Sequence, residues 1–565
     1  MPRLYEDDTL QKHQNEIFTT ARDPLPIALP PGLDEIVFSR FCEDVRALVG
    51  DEHFHRGQDI FHFSDPFYMG QEQYIPSAGV RPGSVAEIQS VLKIANEYHV
   101  PLWVCSRGKN LGYGGPSPRV KGSVVVMLHR MDKILEMNEK MAYMVVEPGV
   151  TFFDVYHFAR EHKLKVWPSV PGLGWGSVLG NTLDRGIGYT SMGDHHNFIC
   201  GMEVVLPDGE IVRTGQWAIS DSKTAHVCKM SYGPQIDGLF VQSNLGVVTK
   251  LALWVQPQPQ TCMSIQIHAE EPEDLPKLID ILGRLYREGI LQNDPNVVNV
   301  MNYAALRIQR AEYHSGPGPL TAEELKRLQR DLNGGYWLST FHFYGTKAMV
   351  LARYEELKRS FDADFPEARI ESELYEGADG MLVDAEEVRV RSQGAGVPSM
   401  QYATTTAFNL PLDGSGFGAH CDVSPIMPQD GKLVWEWFQE ARRIVEVNGF
   451  DVFVGGHIFF KHVVFLHPFL YNRNDPQHLD VAKKLSLDLI KKAKELGYAS
   501  YRSHLEFMDD IQGVFDFNNG AYRRFVERLK GCVDPNGVLS PGKQGIWPQK
   551  GSPTKSGNAL QTSKI

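Results

Sequence analysis

Two glycine-rich stretches and one alternating pair carry the chemistry-bearing spacing of this chain. SRGKNLGYGG, starting at Ser106, holds four glycines in ten positions around Arg107, Lys109 and Tyr113, directly after the apolar run PLWVC. Glycine costs backbone entropy, so such a run needs a reason, and the usual ones are positive φ or a ligand lying against the backbone. A second cluster, PGLGWGSVLGNTLDRGIGYTSMGDHH, begins at Pro171. Successive exposed amides form anion-binding concavities, so the two loops together could hold one pyrophosphate. Much later in the chain, His420 and Asp422 stand two apart. On a strand that spacing turns both side chains to one face and puts a carboxylate beside a ring nitrogen.

The elements around these residues follow from pattern. SVAEIQSVLKIANEYH places apolar residues at helical spacing behind Ser84, with Glu87 completing a capping box. PLWVCS and SVVVML read as strands flanking the first glycine loop, and TFFDVYHFAREH as a helix opened by Thr151 and Asp154. MEVVLPDGEIVRTG is a hairpin turned at Asp208-Gly209, and SNLGVVTKLALWVQP a long strand. Between Pro257 and Pro272 the chain passes into longer helices and strands; after Gly497 it becomes glycine-rich again. The expected fold is α+β in two domains: residues 1–265 binding a cofactor, 266–499 forming a cap over the substrate, and 500–565 returning to the first domain with a flexible tail. A nicotinamide-type Rossmann loop is disfavoured, because no helix pattern follows SRGKNLGYGG and its glycines lack the G-x-G-x-x-G spacing. A Walker loop is absent.

The composition of 565 residues, 42% hydrophobic and 22% charged, is that of an ordinary globular protein. A net charge of -12 argues against nucleic acid or an acidic membrane surface as partner. Seven scattered cysteines with no CxxC pair disfavour a disulfide framework or a zinc site, and no apolar stretch is long enough to span a membrane. The C-terminal Ser-Lys-Ile is one step from the Ser-Lys-Leu peroxisomal address, so a peroxisomal location is expected, with the cytoplasm as the alternative.

Taken together, SRGKNLGYGG, EPGVT, VPGLGWGSVLGNTLDRGIGYT, GDHHNFICGMEVVLPDGEIVRTG, SNLGVVTK and DPNGVLSPGK resemble the FAD-binding domain of the vanillyl-alcohol oxidase and p-cresol methylhydroxylase flavoprotein family, nearest to its vanillyl-alcohol oxidase branch. The resemblance spans nearly the whole chain. It implies FAD held by Ser106, Arg107, Gly108, Lys109, Asn110, Leu111 and Gly112 of the first loop. It adds Gly172, Leu173, Gly176, Ser177, Gly180, Asn181 and Tyr189 of the second, with Gly246, Val247, Arg502 and Lys543 from later segments. It further implies that His420 is bonded covalently to the flavin, which would raise the flavin potential. Tyr113, Tyr501 and Arg502 match a trio that holds the oxygen of a para-substituted phenol as phenolate, two hydroxyl donors and a permanent cation favouring the anion.

The sequence departs from that pattern at two places. Phe67 stands where the branch has a histidine supporting the bonded one, and Gly172 where it has an aspartate near the reacting carbon. Asp422 is the candidate to supply the missing carboxylate, and His457 a weaker one for the same cavity wall. An insertion associated with octamers is short here, so a homodimer is expected. The function implied is an FAD-dependent oxidase of para-substituted phenols, removing a hydride from the benzylic carbon and reducing dioxygen to hydrogen peroxide. Two alternatives stay open: the same fold acting on a non-phenolic alcohol or hydroxy acid, and a flavin-binding protein without turnover.

Overall fold

The computed structural model describes residues 25–70, 73–409 and 418–549. Three sheets organise them. The first has four strands in the order Phe54–His55, Ala78–Val80, Val124–Met127, Leu102–Cys105, the first pairing antiparallel and the other two parallel. Its central strand, VVVM, is buried throughout, as a strand covered on both faces must be. The helices Glu35–Val49 and Val85–Tyr98 pack on it through Phe38, Phe41, Val45, Ile88, Val91 and Leu92. The second sheet is antiparallel, in the order Ile134–Asn138, Tyr143–Val146, Val247–Trp254, Ile199–Val205, Ile211–Arg213. The helix Phe152–Glu161 flanks it and carries the Thr151–Asp154 capping box in both directions. At the helix opened by Ser84 only half of the expected box forms: the Ser84 hydroxyl accepts from Glu87 N, but the Glu87 carboxylate takes Gly83 N.

The third sheet is the largest, nine strands that include Asn296–Asn299, Gly455–Ile458 and the eleven-residue strand His462–Asn472, on which Gly418–Val423 pairs as a branch. Amphipathic helices cover it. In Leu275–Arg287 the buried set Leu275, Leu278, Ile279, Leu282 and Leu285 recurs at helical spacing, and Gly431–Val447 lies against that helix. One core joins these elements, with Trp337, Trp437 and Phe343 fully buried in it.

The last segment of the chain closes on the first sheet. Leu102 N donates to Val538 O at 2.7 Å and Ser540 N to Leu102 O at 2.8 Å. Lys530, with no solvent exposure, donates to the carbonyls of Asn244 and Leu539, both at 2.6 Å, and pairs with the equally buried Asp534 at 2.7 Å. Asp534 in turn accepts from Val538 N and Leu539 N, so the buried ion pair is fully hydrogen-bonded. Among the described residues no helix is long and apolar enough to cross a membrane.

Candidate active site

The three sheets surround a cavity of about 420 Å³, within the range of sites that enclose a cofactor and small ligand. Ser106 to Leu111, Tyr113, Gly172, Leu173, Gly176, Ser177, Gly180, Asn181, Tyr189, Gly246, Val247, His420, Asp422, His457, Tyr501, Arg502 and Lys543 all line it. Gly112 alone of the expected residues stands behind the wall. Its φ is +77°, and a side-chain carbon there would lie 2.6 Å from His420 Nε2 and 2.9 Å from Asp422 Oδ2. The bare backbone at 112 is therefore what lets the loop carry Tyr113 past the histidine.

The two glycine clusters meet. A side-chain carbon at Gly180 would fall 2.2 Å from the Ser106 hydroxyl, so the second loop reaches the first only because residue 180 has none. Ser177 caps the short helix Val178–Leu183, accepting from Gly180 N, and donates to Pro148 O at 2.6 Å. A side-chain carbon at Gly176 would meet nothing nearer than 3.5 Å, and its amide donates to Leu173 O at 3.4 Å. Arg107 is committed to structure, its Nη1 donating to Gly149 O at 2.9 Å, while Lys109 lies 5.4 Å from the Trp175 ring with its pKa lowered to about 8, mainly by burial. Asn181 accepts from His195, a fully buried ring held neutral by desolvation with a pKa lowered to about 4. Gly246 serves packing, since Val204 Cγ1 would be 2.5 Å from any carbon placed there.

At the other side of the cavity the long strand pairs Leu470 with His420 and Pro468 with Asp422, and both side chains share a face as their spacing required. His420 Nε2 lies 3.5 Å from Asp422 Oδ2, and the Phe67 ring meets the imidazole edge-on at 5.1 Å. His420 Nδ1 is buried with no partner among the described residues. Burial raises the Asp422 pKa, opposed by the His420 and Arg502 charges. Tyr113, Tyr501 and Arg502 are close enough that each acts electrostatically on the others. The Arg502 guanidinium carbon stands 4.0 Å above the Tyr113 ring centroid, a cation–π contact. Burial raises both tyrosine pKa values, Asp422 raising that of Tyr113 further while Arg502 opposes the rise in Tyr501.

Two residues outside the expected set organise this region. Asp184 accepts from Arg502 Nε at 3.1 Å and Nη2 at 2.8 Å, from Asn110 Nδ2 at 2.9 Å and from Gln544 at 3.3 Å. It also raises the pKa of the buried Lys543, which desolvation lowers. Asp184 was visible in the sequence as the acid closing GNTLD, but nothing there told that an arginine 318 positions later would sit on it. The second is Tyr402: its ring fills the space above Gly172, where a side-chain carbon would be 2.7 Å from Cδ2. The site thus fits a flavin nucleotide: glycine-built backbone and the buried cations Lys543 and Arg502 suit a diphosphate and an electron-rich ring, and an unpartnered imidazole nitrogen is left at His420.

Comparison with known proteins agrees with this fit. Residues 76–215 match the family described as FAD binding domain, and residues 433–544 the FAD linked oxidases, C-terminal domain. The 4-cresol dehydrogenase [hydroxylating] flavoprotein subunit of Pseudomonas putida is 31% identical over 92% of this chain and 97% of its own length. The 1'-carboxy-chondrochloren decarboxylase of Chondromyces crocatus is 26% identical over 89% and 97%. Among solved structures, the 4-ethylphenol oxidase of Gulosibacter chungangensis superposes with a TM-score of 0.85 at 33% identity, covering 92% of this chain and 99% of that one. p-Cresol methylhydroxylase with substrate bound gives 0.86 at 28%, with the same coverage. The expected nearness to the vanillyl-alcohol oxidase branch is corrected by these matches, which point to the p-cresol methylhydroxylase side, in line with the departures at Phe67 and Gly172. With the two-domain α+β architecture, the paired glycine loops and the His420–Asp422 strand in place, this chain belongs to the p-cresol methylhydroxylase family of FAD-linked oxidoreductases.

Proposed function

We propose that the chain oxidises para-substituted phenols of the 4-hydroxybenzyl alcohol or 4-alkylphenol type, with FAD as cofactor and dioxygen as acceptor. The observation that carries the reading is the Tyr113–Tyr501–Arg502 trio, two hydroxyls and a guanidinium converging in one buried corner. Because desolvation keeps both tyrosines protonated, each is available to donate to a phenol oxygen, and the arginine charge favours that oxygen as phenolate. The phenolate pushes electron density through the ring, so the benzylic carbon gives up a hydride and the substrate becomes a p-quinone methide, which water addition or internal proton loss resolves. Bound FAD supplies the acceptor for that hydride. Asp422, buried beside His420 and within reach of the Arg502 charge, takes the role of proton acceptor that Gly172 cannot fill. An Asp422→Ala variant with unchanged flavin reduction and an unchanged pH profile would contradict that role.

Relatives named for 4-cresol and 4-ethylphenol support the substrate class. His420 is the residue we assign to a covalent flavin bond; yellow colour retained in an acid-precipitated pellet tests it. A homodimer is the expected assembly, checked by light scattering, and a peroxisomal location rests on the Ser-Lys-Ile terminus, which lies outside the described residues. The activity is tested by adding 4-hydroxybenzyl alcohol anaerobically to the FAD-loaded protein. Bleaching followed by recovery in air with release of hydrogen peroxide is expected. Recovery only on adding a cytochrome-type acceptor would remove dioxygen from the proposal.

A further inference from the structure

Behind the first glycine loop lies a second cavity, of about 210 Å³. Arg107, Gly108 and Lys109 line both cavities, so the loop is the partition between them. The first sheet explains why charge gathers on its far side. Val80 pairs with Val126 and Cys105 with Met127, both in parallel, and Leu128 N donating to Cys105 O at 3.0 Å continues the ladder past the strand end. Arg81, Arg107 and His129 therefore leave the carboxyl ends of three neighbouring strands, where open parallel sheets form ligand crevices. All three line the cavity. They follow Gly79, Cys105 and Met127 at the two-residue period of a strand, on the face turned toward Phe63 and away from the helices Glu35–Val49 and Val85–Tyr98. Phe61 and Pro66 close the cavity from the other side.

The lining is cationic and short of acceptors. Arg81 and Arg107 are both half-buried. Their Nε atoms are buried donors with no acceptor among the described residues, and His129 Nδ1 is likewise unpartnered. The Arg81 guanidinium lies 5.1 Å from the Phe63 ring centroid, and Arg107 spends Nη1 on Gly149 O at 2.9 Å. Among the described residues no Asp or Glu lines the cavity. Asp59 acts on Arg81, and Asp154 and Asp132 on Arg107, without forming an ion pair. Arg130, next to His129 in the chain, is by contrast answered by Glu87 at 3.4 Å. Burial, and then the Arg81 and Arg107 charges, lower the His129 pKa to about 4, so the ring is neutral and keeps one N–H to donate. Half-buried guanidinium groups with unanswered donors are costly unless an anion joins them.

We infer that this cavity is an oxyanion site distinct from the flavin cavity: Arg81 and Arg107, reaching in from two strand ends with Lys109 and His129 beside them, hold inorganic phosphate. A guanidinium fork matches the oxygens of a phosphate with parallel hydrogen bonds. At about 30 Å³ per water, the cavity has room for a phosphate and a few waters.

The test is calorimetric titration of inorganic phosphate into the full-length, FAD-loaded protein, with ionic strength held constant by sodium chloride; bound FAD keeps phosphate out of the flavin cavity. One saturable site is expected. Arg81→Gln should weaken it at least tenfold and Arg81→Lys less, with FAD content and flavin spectrum unchanged in both, because Arg81 does not line the flavin cavity. Should Arg81→Gln fail to fold, His129→Gln should weaken phosphate severalfold. The melting temperature of the unaltered protein should also rise with phosphate and not with chloride at equal ionic strength. No saturable binding, or equal affinity in Arg81→Gln, would overturn the site. Loss of FAD from Arg81→Gln, with no phosphate bound by the unaltered protein, would overturn it too and show that these cations serve the flavin diphosphate through the loop.

Discussion

At the glycine-loop side of the cavity, from Ser106 to Gly112 and from Pro171 to Asn181, the wall is largely backbone. Its shape depends on side chains that are missing at Gly112 and Gly180. At the phenol side the wall is made of Tyr113, Asp422, Tyr501 and Arg502, side chains from three distant segments, with Arg502 held by Asp184 and Asn110. The first kind of site is written into a short run of sequence and anchored by what lies behind it. The second exists only once the largest sheet and the C-terminal return have both formed. Damage to the loop side should therefore appear as lost stability and cofactor retention, and damage to the phenol side as lost turnover in a folded, yellow protein.

The largest expected effect breaks the anchor behind the loops. Asp534→Ala leaves Lys530 charged and unpaired in the interior, and should lower unfolding stability by about 3–5 kcal/mol; denaturant titration measures it. Next comes the phenol side: Arg502→Lys keeps a charge but loses the fork that grips Asp184 and Asn110. It should cost about 10²–10³ in kcat/KM for a 4-hydroxybenzyl alcohol, in a protein that still folds. Gly112→Ala sharpens the contrast from the loop side, since a left-handed residue acquires a side-chain carbon, at a cost of about 1–2 kcal/mol before the collision with His420 is counted. Its signature is weaker flavin retention together with a lower melting temperature.

The smallest effect concerns the seam between the two regions. Asp294 is buried against Tyr286, whose hydroxyl donates to it at 2.7 Å, and close to the Gly193 backbone of the second glycine cluster. Desolvation, reinforced by Asp194, raises its pKa from 3.8 to about 7, so the protonated form is favoured in the folded protein. The stability this confers is fully present below about pH 4 and is lost as pH rises through about 7. Asp294→Asn should flatten the fall of melting temperature across that window. An unchanged slope would mean that another group sets it.

The same contrast explains what could be read from the chain before its fold was known. Local signals were legible: the glycine loops, the Thr151–Asp154 cap, and the two-residue spacing that puts His420 beside Asp422. Non-local ones were not. That Tyr402 would fill the space above Gly172, or that Asp184 would receive Arg502, depends on how remote segments converge, and although Asp184 stands inside the second glycine cluster nothing local names its partner. Glu87 shows the limit on a smaller scale: the S-x-x-E pattern is present, yet the carboxylate turns to Gly83 N and toward Arg130 at 3.4 Å, because a competing cation lies there. Backbone-built features survive reading from sequence because their reason is local steric freedom.

The central claim is that the phenol oxygen, gripped by Tyr113, Tyr501 and Arg502, drives hydride loss. Anaerobic flavin bleaching by 4-hydroxybenzyl alcohol, set beside 4-methoxybenzyl alcohol, tests it most directly. Rapid bleaching by the first and none by the second is the predicted result. Equal bleaching by both would show that the trio does not act through a phenolate, and would contradict the account.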